Sequence, residues 1–218
     1  MNGQFGHWGI AILMMVVASW VFYRYAAPRR WRDWAGAGLV QAFIIALYAE
    51  MYGFPPTLYV LTGVLGLNIP LLHINGHLWA ALLGYGAVDA MIEMFLGYAF
   101  VFLGIVMLAE GWRELYRAHR ERRLETRGLY AVIRHPQYLG IFVALFGQLI
   151  HWPTIPTVAL FPFIVLAYVL LARKEEAEMV AQFGDLYRRY QAQVPMFLPR
   201  ARDFGRLRDA LRARSQEA

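Results

Sequence analysis

Long apolar runs alternate along the chain with short clusters of Lys and Arg. The apolar runs occupy residues 8–26, 39–54, 91–112, 137–150 and 155–172. Spanning a hydrocarbon core of roughly 30 Å takes about 20 helical residues, so the fourth run either starts below the membrane surface or is extended by neighbouring turns. The pattern predicts an all-α integral membrane protein with about five transmembrane helices.

The basic residues predict the orientation of these helices. All 21 Lys and Arg residues lie within residues 24–32, 113–134 and 173–214. Positive loops stay on the cytoplasmic side, so we expect an external N-terminus and a cytoplasmic C-terminus in a bacterial inner membrane. Residues 55–90 contain neither Lys nor Arg and predict an external connection.

Three regions follow from this arrangement. Residues 1–112 form the predicted N-terminal transmembrane region with three spans. Residues 113–199 form the predicted catalytic region around a helical hairpin, and residues 200–218 a basic amphipathic tail. The tail has two open interpretations, a helix on anionic lipid or a solvated segment.

Composition excludes several classes of function. Hydrophobic residues make up 59% and charged residues 17%, which is too apolar for an ordinary soluble domain. Without Cys, the chain has no disulfides, no thiolate metal sites and no Cys nucleophile. The N-terminus lacks the basic start and cleavage pattern of a signal peptide. The net charge of +6 is concentrated beside the membrane runs, so we predict membrane lipids rather than nucleic acid as partners.

The segment after the last apolar run predicts an amphipathic helix. Met179, Phe183, Leu186 and Tyr190 recur at helical spacing, and Glu176 falls on the same side as Phe183. Gly184 costs about 1 kcal/mol in a helix relative to Ala, which indicates close packing or a break.

A polar motif, VIRHPQYLG, precedes the fourth apolar run. Pro136 suits the first turn of a helix, so this helix is predicted to begin at His135-Pro136-Gln137. A helix start has free amide donors and a partial positive charge that favour anionic groups, and Arg134 adds to that charge. The alternative is a Pro-started helix with an Arg at the lipid headgroups.

The motif belongs to a longer pattern of spaced residues between Leu115 and Pro199. Its parts are Gly128-Leu129-Tyr130, the RHPxYxG sequence at residues 134–140, Glu175-Glu176, Phe183-Gly184, Tyr187, Tyr190, Val194-Pro195 and Pro199. This combination resembles the isoprenylcysteine carboxyl methyltransferase family and its phospholipid methyltransferase relatives. The resemblance implies an integral membrane enzyme that uses S-adenosyl-L-methionine, with a cytoplasmic C-terminal helix that closes the cofactor pocket.

The resemblance also implies which residues contact the cofactor. Carried over residue by residue, they are Arg122, Arg123, Leu124, Glu125, Tyr130, His135, Pro136, Gln137, Tyr138 and Glu175. The cofactor's carboxylate suits Arg and free amides, and its amino group and sulfonium suit carboxylates and aromatic rings. The resemblance implies no metal.

One position departs from the family pattern. Members that methylate a prenylcysteine carry an Arg four residues before the first Glu, where this chain has Leu171, and Arg173 would face another side of the helix. A lipophilic amine, thiol or other neutral acceptor is therefore favoured over a carboxylate. Such an acceptor loses a proton, so we assign catalytic roles to Glu110 and Glu176 as candidate bases, together with Arg134.

Other polar residues leave further functions open. His73, Asn75 and His77 predict a polar interfacial loop, with a metal site as the weaker alternative. Glu50, Asp89 and Glu93 lie near membrane depth, where acids are usually functional or paired, and motivate a transporter or scaffold as one alternative function. The other alternative is an NADPH-dependent reductase, since membrane sterol reductases resemble the C-terminal half.

Overall fold

The structure is a computed structural model that describes residues 7–26, 34–53, 56–66, 79, 87–121, 123–200 and 205. Every regular element within these ranges is helical. The α-helices are α1 Trp8–Ala26, α2 Trp34–Tyr48, α3 Pro56–Tyr59, α4 Ala87–Arg120, α5 Pro136–His151, α6 Ile155–Phe183 and α7 Asp185–Gln193. A π-helical turn, Ala49–Gly53, follows α2, another, Val60–Val64, follows α3, and a 3-10 turn, Gly128–Ala131, precedes α5.

Four of the described helical segments are long and apolar enough to cross a membrane. They are Trp8–Tyr25, Gly36–Gly53, Met91–Ala118 and Ile155–Phe183. The predicted all-α integral membrane class is therefore confirmed. Helix α5 has 16 residues, which at about 1.5 Å each falls short of a roughly 30 Å core, so its role as a fifth span stays a prediction.

Local Pro and Gly signals bear on two helix boundaries. Helix α5 begins at Pro136, as the motif predicted. Gly184 separates α6 from α7 with a φ of 56°, and no side chain or backbone atom lies within 4 Å of a Cβ built there. Of the two explanations for Gly184, the structure thus has the break rather than the close packing.

The break changes which residues of the amphipathic segment are buried. Tyr187 and Tyr190 are buried, but Leu186 is 60% exposed, so its predicted place on the apolar face is wrong. The helical spacing that linked Leu186 to Phe183 does not continue through a residue of positive φ. Glu176 is buried, as its place on that face predicted.

The described contacts divide the chain into two compact units. Unit 1 comprises Met1–Phe102 and Ala144–Ala167. In it α4 and α5 approach closely, because a Cβ at Gly97 would lie 2.6 Å from Cβ of His151. The buried carboxylate of Glu50 accepts a 2.7 Å hydrogen bond from Thr57, whose hydroxyl oxygen accepts the amide of Ile155 at 3.0 Å.

Unit 2 comprises Leu103–Val143 and Tyr168–Ala218. Here too α4 and α5 are in close contact, since a Cβ at Gly140 would lie 2.7 Å from the carbonyl oxygen of Gly104. About two turns further along α4, a Cβ at Gly111 would lie 3.1 Å from the amide nitrogen of Gln137. These two glycines bring the start of α5 against α4. The sequence-based region boundaries at residues 112 and 199 stay a prediction.

Some predictions lie outside the described residues. They concern Arg122, the loop with His73, Asn75 and His77, and nearly all of the basic tail.

Candidate functional site

The turn that carries Tyr130 is held by an acid on α4. Gly128 has a φ of 57°, and a Cβ there would overlap the carboxylate of Glu114. That carboxylate accepts the amide of Leu129 at 3.1 Å. The Tyr130 hydroxyl donates to Oε1 of Gln137 at 2.9 Å, and burial raises the pKa of Tyr130 well above its ordinary value. Two predicted cofactor residues, Tyr130 and Gln137, are thus in direct contact.

A short segment after α7, residues 194–197, lies along the residues that lead into α5. We call this segment the strap. The amide of Arg134 donates to the carbonyl of Pro195 at 2.9 Å, and the amide of His135 donates to the carbonyl of Met196 at 3.1 Å. The strap therefore accepts the hydrogen bonds of two amides just before Pro136. The sequence had suggested that free amides at this helix start would bind an anionic ligand.

Arg134 and Glu176 form the centre of a buried polar cluster. Nε of Arg134 lies 2.6 Å from Oε1 of Glu176, and its Nη1 donates to the carbonyls of Gln191, at 3.0 Å, and Val194. Oε2 of Glu176 accepts the side-chain amide of Gln191 at 2.9 Å, and Nε2 of His135 lies 3.2 Å from Oε1. Both Glu176 oxygens and the guanidinium are engaged with the protein. This geometry supports a structural role, and the predicted catalytic role of the two residues stays a prediction.

Glu175 stands beside this cluster and is more accessible. Its side chain is 38% exposed, against 9% for Glu176. Oε1 accepts the Tyr138 hydroxyl at 2.6 Å, and Oε2 lies 3.7 Å from Nδ1 of His135. The rings of His135 and Tyr138 are parallel, with centroids 5.5 Å apart. The result is a half-exposed carboxylate next to aromatic faces, an environment that favours a cationic group.

Nδ1 of His135 is buried and makes no hydrogen bond with the residues that the structure describes. A buried polar nitrogen without a partner costs free energy unless a ligand or water reaches it. This nitrogen lies 3.7 Å from Oε2 of the partly exposed Glu175 side chain.

The segment after α4 is internally bonded. Nη1 of Arg123 lies 2.9 Å from Oε2 of Glu125, and its Nε lies 2.5 Å from Oε2 of Glu121, contacts that raise the pKa of Arg123. Oε1 of Glu125 accepts the backbone amides of the next two residues, at 3.1 and 2.9 Å. Leu124 packs against the cluster of Tyr187, Tyr190 and Val194. The predicted contacts of these residues with the cofactor stay predictions.

Helix α7 is tied to the same turn by a long-range hydrogen bond. The Tyr190 hydroxyl donates to the carbonyl of Tyr130 at 2.7 Å. Burial, followed by neighbouring Tyr187, raises the pKa of Tyr190 above its ordinary range.

Glu110 has a different environment from the other predicted residues. It lies 2.6 Å from Nη1 of Arg113, whose side chain is 58% exposed. The role of Glu110 as a base stays a prediction.

Four aromatic rings form a chain of contacts that begins at Tyr138, whose hydroxyl donates to Glu175. Sequence reasoning assigned only one of the four to the site. Tyr138 and Tyr168 have centroids 5.0 Å apart, and Phe142 lies 6.2 Å from Tyr168 and 5.5 Å from Phe197. Only Tyr138 was predicted, from the motif. Phe142 and Tyr168 occur within runs of apolar residues, and no local signal marks them.

The segment that matches known proteins includes parts of both units. The model of the isoprenylcysteine carboxyl methyltransferase (ICMT) family matches residues 90–181. A methanethiol S-methyltransferase from a Pseudomonas strain is 30% identical over 122 residues, which cover 54% of this chain and 43% of the relative. One from Mycobacterium tuberculosis is 33% identical over 52% of this chain and 50% of the relative.

The name of a third relative refers to a different substrate, an isoprenylcysteine. The protein-S-isoprenylcysteine O-methyltransferase of Schizosaccharomyces pombe is 31% identical over 38% of this chain and 36% of the relative. The chain thus spans half or less of the length of these relatives. No solved structure matches it. Over residues 90–181 the chain is similar to the isoprenylcysteine carboxyl methyltransferase family, and the resemblance predicted from its motifs is confirmed.

Proposed function

We propose that the protein is an integral membrane methyltransferase that uses S-adenosylmethionine and methylates a lipophilic acceptor at the cytoplasmic face. The observation that carries this proposal is the half-exposed carboxylate of Glu175, held between Tyr138 and His135 in the segment that matches the family. The relatives are methyltransferases of a thiol and of a prenylated cysteine. The orientation, with an external N-terminus, is part of the proposal and rests on the positions of Lys and Arg.

The residues present fit the cofactor. Glu175 offers a carboxylate for its cationic amino group. The buried Nδ1 of His135, which makes no hydrogen bond within the described part of the chain, offers a second polar contact. The stacked rings of His135 and Tyr138 provide faces for a sulfonium or an adenine. In this proposal these three residues hold the cofactor, and Tyr130 and Gln137 support them through their mutual hydrogen bond.

The bound cofactor supplies a methyl group on a positively charged sulfur. The chain's own contribution is alignment and exclusion of water, because an in-line methyl displacement requires little else. The engaged oxygens of Glu176 and the packed strap make this part of unit 2 stiff, which suits alignment. A thiol or amine acceptor gives up its proton to a base, for which we propose Glu110, since both oxygens of Glu176 are engaged with the protein.

Ligand binding to the purified full-length protein in detergent tests the proposal. We expect calorimetry to detect binding of S-adenosylhomocysteine and no binding of NADPH. Replacing the key carboxylate, Glu175→Gln, is expected to weaken S-adenosylhomocysteine binding at least tenfold, which corresponds to about 1.4 kcal/mol. The matched control is Asp185→Asn, because the Asp185 side chain is 80% exposed and pairs only weakly with Arg188 at 3.2 Å. It is expected to bind like the wild type.

Methyl transfer is measured in the same preparation with methyl-labelled cofactor and a lipid extract. Binding of NADPH in place of S-adenosylhomocysteine would support the reductase instead. Binding of neither ligand, with His135 and Glu175 freely replaceable, would support a non-catalytic protein.

A further inference from the structure

The last two turns of α4 carry two arginines on their exposed side. Helix α4 has 34 residues and is therefore about 51 Å long, whereas the hydrocarbon core of a membrane measures roughly 30 Å. Its apolar run ends at residue 112, so residues 113–120 extend beyond the core into the lipid headgroups. Arg117 and Arg120 are exposed there and, three residues apart, lie on one face of the helix. We call these two residues the basic face.

Arg120 is folded back toward the apolar run. Its guanidinium carbon lies 5.9 Å from the centre of the Tyr116 ring, one helical turn earlier, and that ring is 54% exposed. Side chains on a helix tilt toward its N-terminus, which for these turns is the direction of the membrane, so Arg117 has the same tilt. Tyrosine is enriched where a membrane meets water. The basic face thus directs its charge to the level of the lipid phosphates.

The acids on either side of the basic face pair with other arginines. Oε1 of Glu110 lies 2.6 Å from Nη1 of Arg113, and Oε2 of Glu121 lies 2.5 Å from Nε of Arg123. Within the described ranges, no salt bridge involves either arginine of the basic face. An anionic group of the membrane surface would complement this exposed positive charge.

The buried side of the same two turns supports the proposed cofactor site. Glu114 is buried, and its carboxylate accepts the amide of Leu129 at 3.1 Å, which caps the turn that carries Tyr130. The Tyr130 hydroxyl in turn donates to Gln137 at 2.9 Å. Because the ends of helices fray, a contact that orders residues 117–120 also keeps Glu114 in place against this turn. One short segment therefore meets the membrane surface on one side and supports the cofactor site on the other.

We propose that the basic face binds the phosphate of an anionic phospholipid, and that this contact strengthens cofactor binding by ordering the end of α4. A guanidinium suits a phosphate because it donates two parallel N–H bonds to it. A lipid with net negative charge is attracted more strongly than a zwitterionic lipid, whose own cation opposes the arginines. The coupling to the cofactor rests on the proposed function, whereas the lipid contact itself does not. Because coupling between two sites is reciprocal, lipid and cofactor raise each other's affinity by the same factor.

The test uses the full-length protein in nanodiscs of phosphatidylcholine, either alone or mixed with phosphatidylglycerol. Calorimetry measures the affinity for S-adenosylhomocysteine in each. For the wild type we expect about fivefold tighter binding, or more, with phosphatidylglycerol, which is the lower end of common coupling between sites. In the double variant Arg117→Gln/Arg120→Gln the difference between the two lipids is expected to fall below about twofold. A purely structural role of the arginines would instead weaken binding equally in both lipids.

Two further double variants are the controls. Arg188→Gln/Arg189→Gln removes two exposed arginines from α7 and is expected to keep the wild-type response to phosphatidylglycerol. Arg117→Lys/Arg120→Lys is expected to fall between the wild type and Arg117→Gln/Arg120→Gln, because Lys keeps the charge but not the planar fork of donors. These variants separate the position of the charge from its mere presence.

A second readout does not depend on the cofactor. Native mass spectrometry counts the lipids that remain bound when the protein is released from detergent with equal amounts of phosphatidylglycerol and phosphatidylcholine. The wild type is expected to retain phosphatidylglycerol in preference to phosphatidylcholine. Arg117→Gln/Arg120→Gln is expected to lose this preference, and Arg188→Gln/Arg189→Gln to keep it.

The outcomes are distinguishable. Equal retention of phosphatidylglycerol by the wild type and Arg117→Gln/Arg120→Gln overturns the basic face as a lipid site. Wild-type affinity for S-adenosylhomocysteine that is the same in both lipids overturns the coupling and leaves the proposed function standing. Inorganic phosphate that replaces phosphatidylglycerol in phosphatidylcholine nanodiscs overturns the assignment to a lipid. Failure to bind S-adenosylhomocysteine in either lipid overturns the proposed function, while lipid retention still decides the role of the basic face.

Discussion

Nε of Arg134 lies 2.6 Å from Oε1 of Glu176, a residue 42 positions later in the chain. The side chains are only 11% and 9% exposed, so the pair is almost closed to water. Because Arg134 also donates to the carbonyls of Gln191 and Val194, one guanidinium joins the start of α5, the end of α6 and the end of α7. The pair thus holds together the elements that carry His135 and Glu175.

Removal of the guanidinium is expected to destabilise unit 2. In Arg134→Gln the carboxylate of Glu176 loses its cationic partner while it stays buried, which typically costs about 3 kcal/mol or more. We expect a loss of this size in the free energy of unfolding, measured by circular dichroism during titration of the micelles with SDS. We also expect S-adenosylhomocysteine to bind at least tenfold more weakly. Glu176, which lies 3.2 Å from Nε2 of His135, is then no longer held in place by Arg134.

The exposed ion pair of α7 supplies the control. Arg188 lies 3.2 Å from Asp185, with side chains 67% and 80% exposed. Arg188→Gln is expected to stay within about 0.5 kcal/mol of the wild type, because water screens such pairs. If Arg134→Gln behaved like Arg188→Gln, the Arg134 cluster would not hold the three helices together.

Two glycines of nearly equal φ allow a second prediction. Gly128 and Gly184 have φ values of 57° and 56°, and either replacement by Ala places a side chain in a strained conformation costing roughly 1–3 kcal/mol. Only at Gly128 would the new methyl overlap the carboxylate of Glu114, which caps the turn of Tyr130. We expect Gly128→Ala to lower both the thermal midpoint and the affinity for S-adenosylhomocysteine more than Gly184→Ala does.

The comparison has a clear contrary outcome. Equal losses in the two variants would show that backbone strain alone accounts for them, and that the contact between Glu114 and the turn does not matter.

Sequence reasoning succeeded where the signal was local. The start of α5 at Pro136 follows from the backbone properties of proline, whatever the rest of the chain does. At Gly184 the sequence left close packing and a break as alternatives. Leu186 was misplaced because the helical spacing was carried through Gly184. The error shows that a periodic pattern is reliable only within an unbroken helix.

The unpredicted parts of the site depend on contacts between distant residues. Glu114 lies 15 positions from the amide of Leu129 that it accepts, and nothing in the surrounding ELYRAH sequence marks it as a cap. Phe197 meets Phe142 only because the strap bonds to the residues before α5. Pairings of this kind can be identified only once the fold is known, since the sequence alone does not distinguish one Glu or Phe from another.

The proposed base role of Glu110 predicts a loss of turnover when its carboxylate is removed. If Glu110 accepts the acceptor's proton, Glu110→Gln is expected to lower kcat at least tenfold. Glu110 lies 2.6 Å from Arg113, so Arg113→Gln serves as the control for loss of the ion pair. A turnover and pH profile of Glu110→Gln equal to those of the wild type would remove Glu110 from the mechanism.

The buried tyrosine Tyr187 predicts how stability depends on alkaline pH. Burial, and after it the nearby Glu176 carboxylate, raise the pKa of Tyr187 above its ordinary value of 10.0. Below pH 10.0 the phenol keeps its proton in both states, and its contribution to stability is fully present. Above that pH the unfolded chain ionises first, so the folded state loses up to about 1.4 kcal/mol per pH unit until its own pKa is reached. Tyr187→Phe is therefore expected to reduce the decline of the thermal midpoint between about pH 10 and about pH 12. Tyr116→Phe, at a ring that is 54% exposed, is expected to keep the wild-type decline, and an equal effect of both substitutions would contradict the assignment to Tyr187.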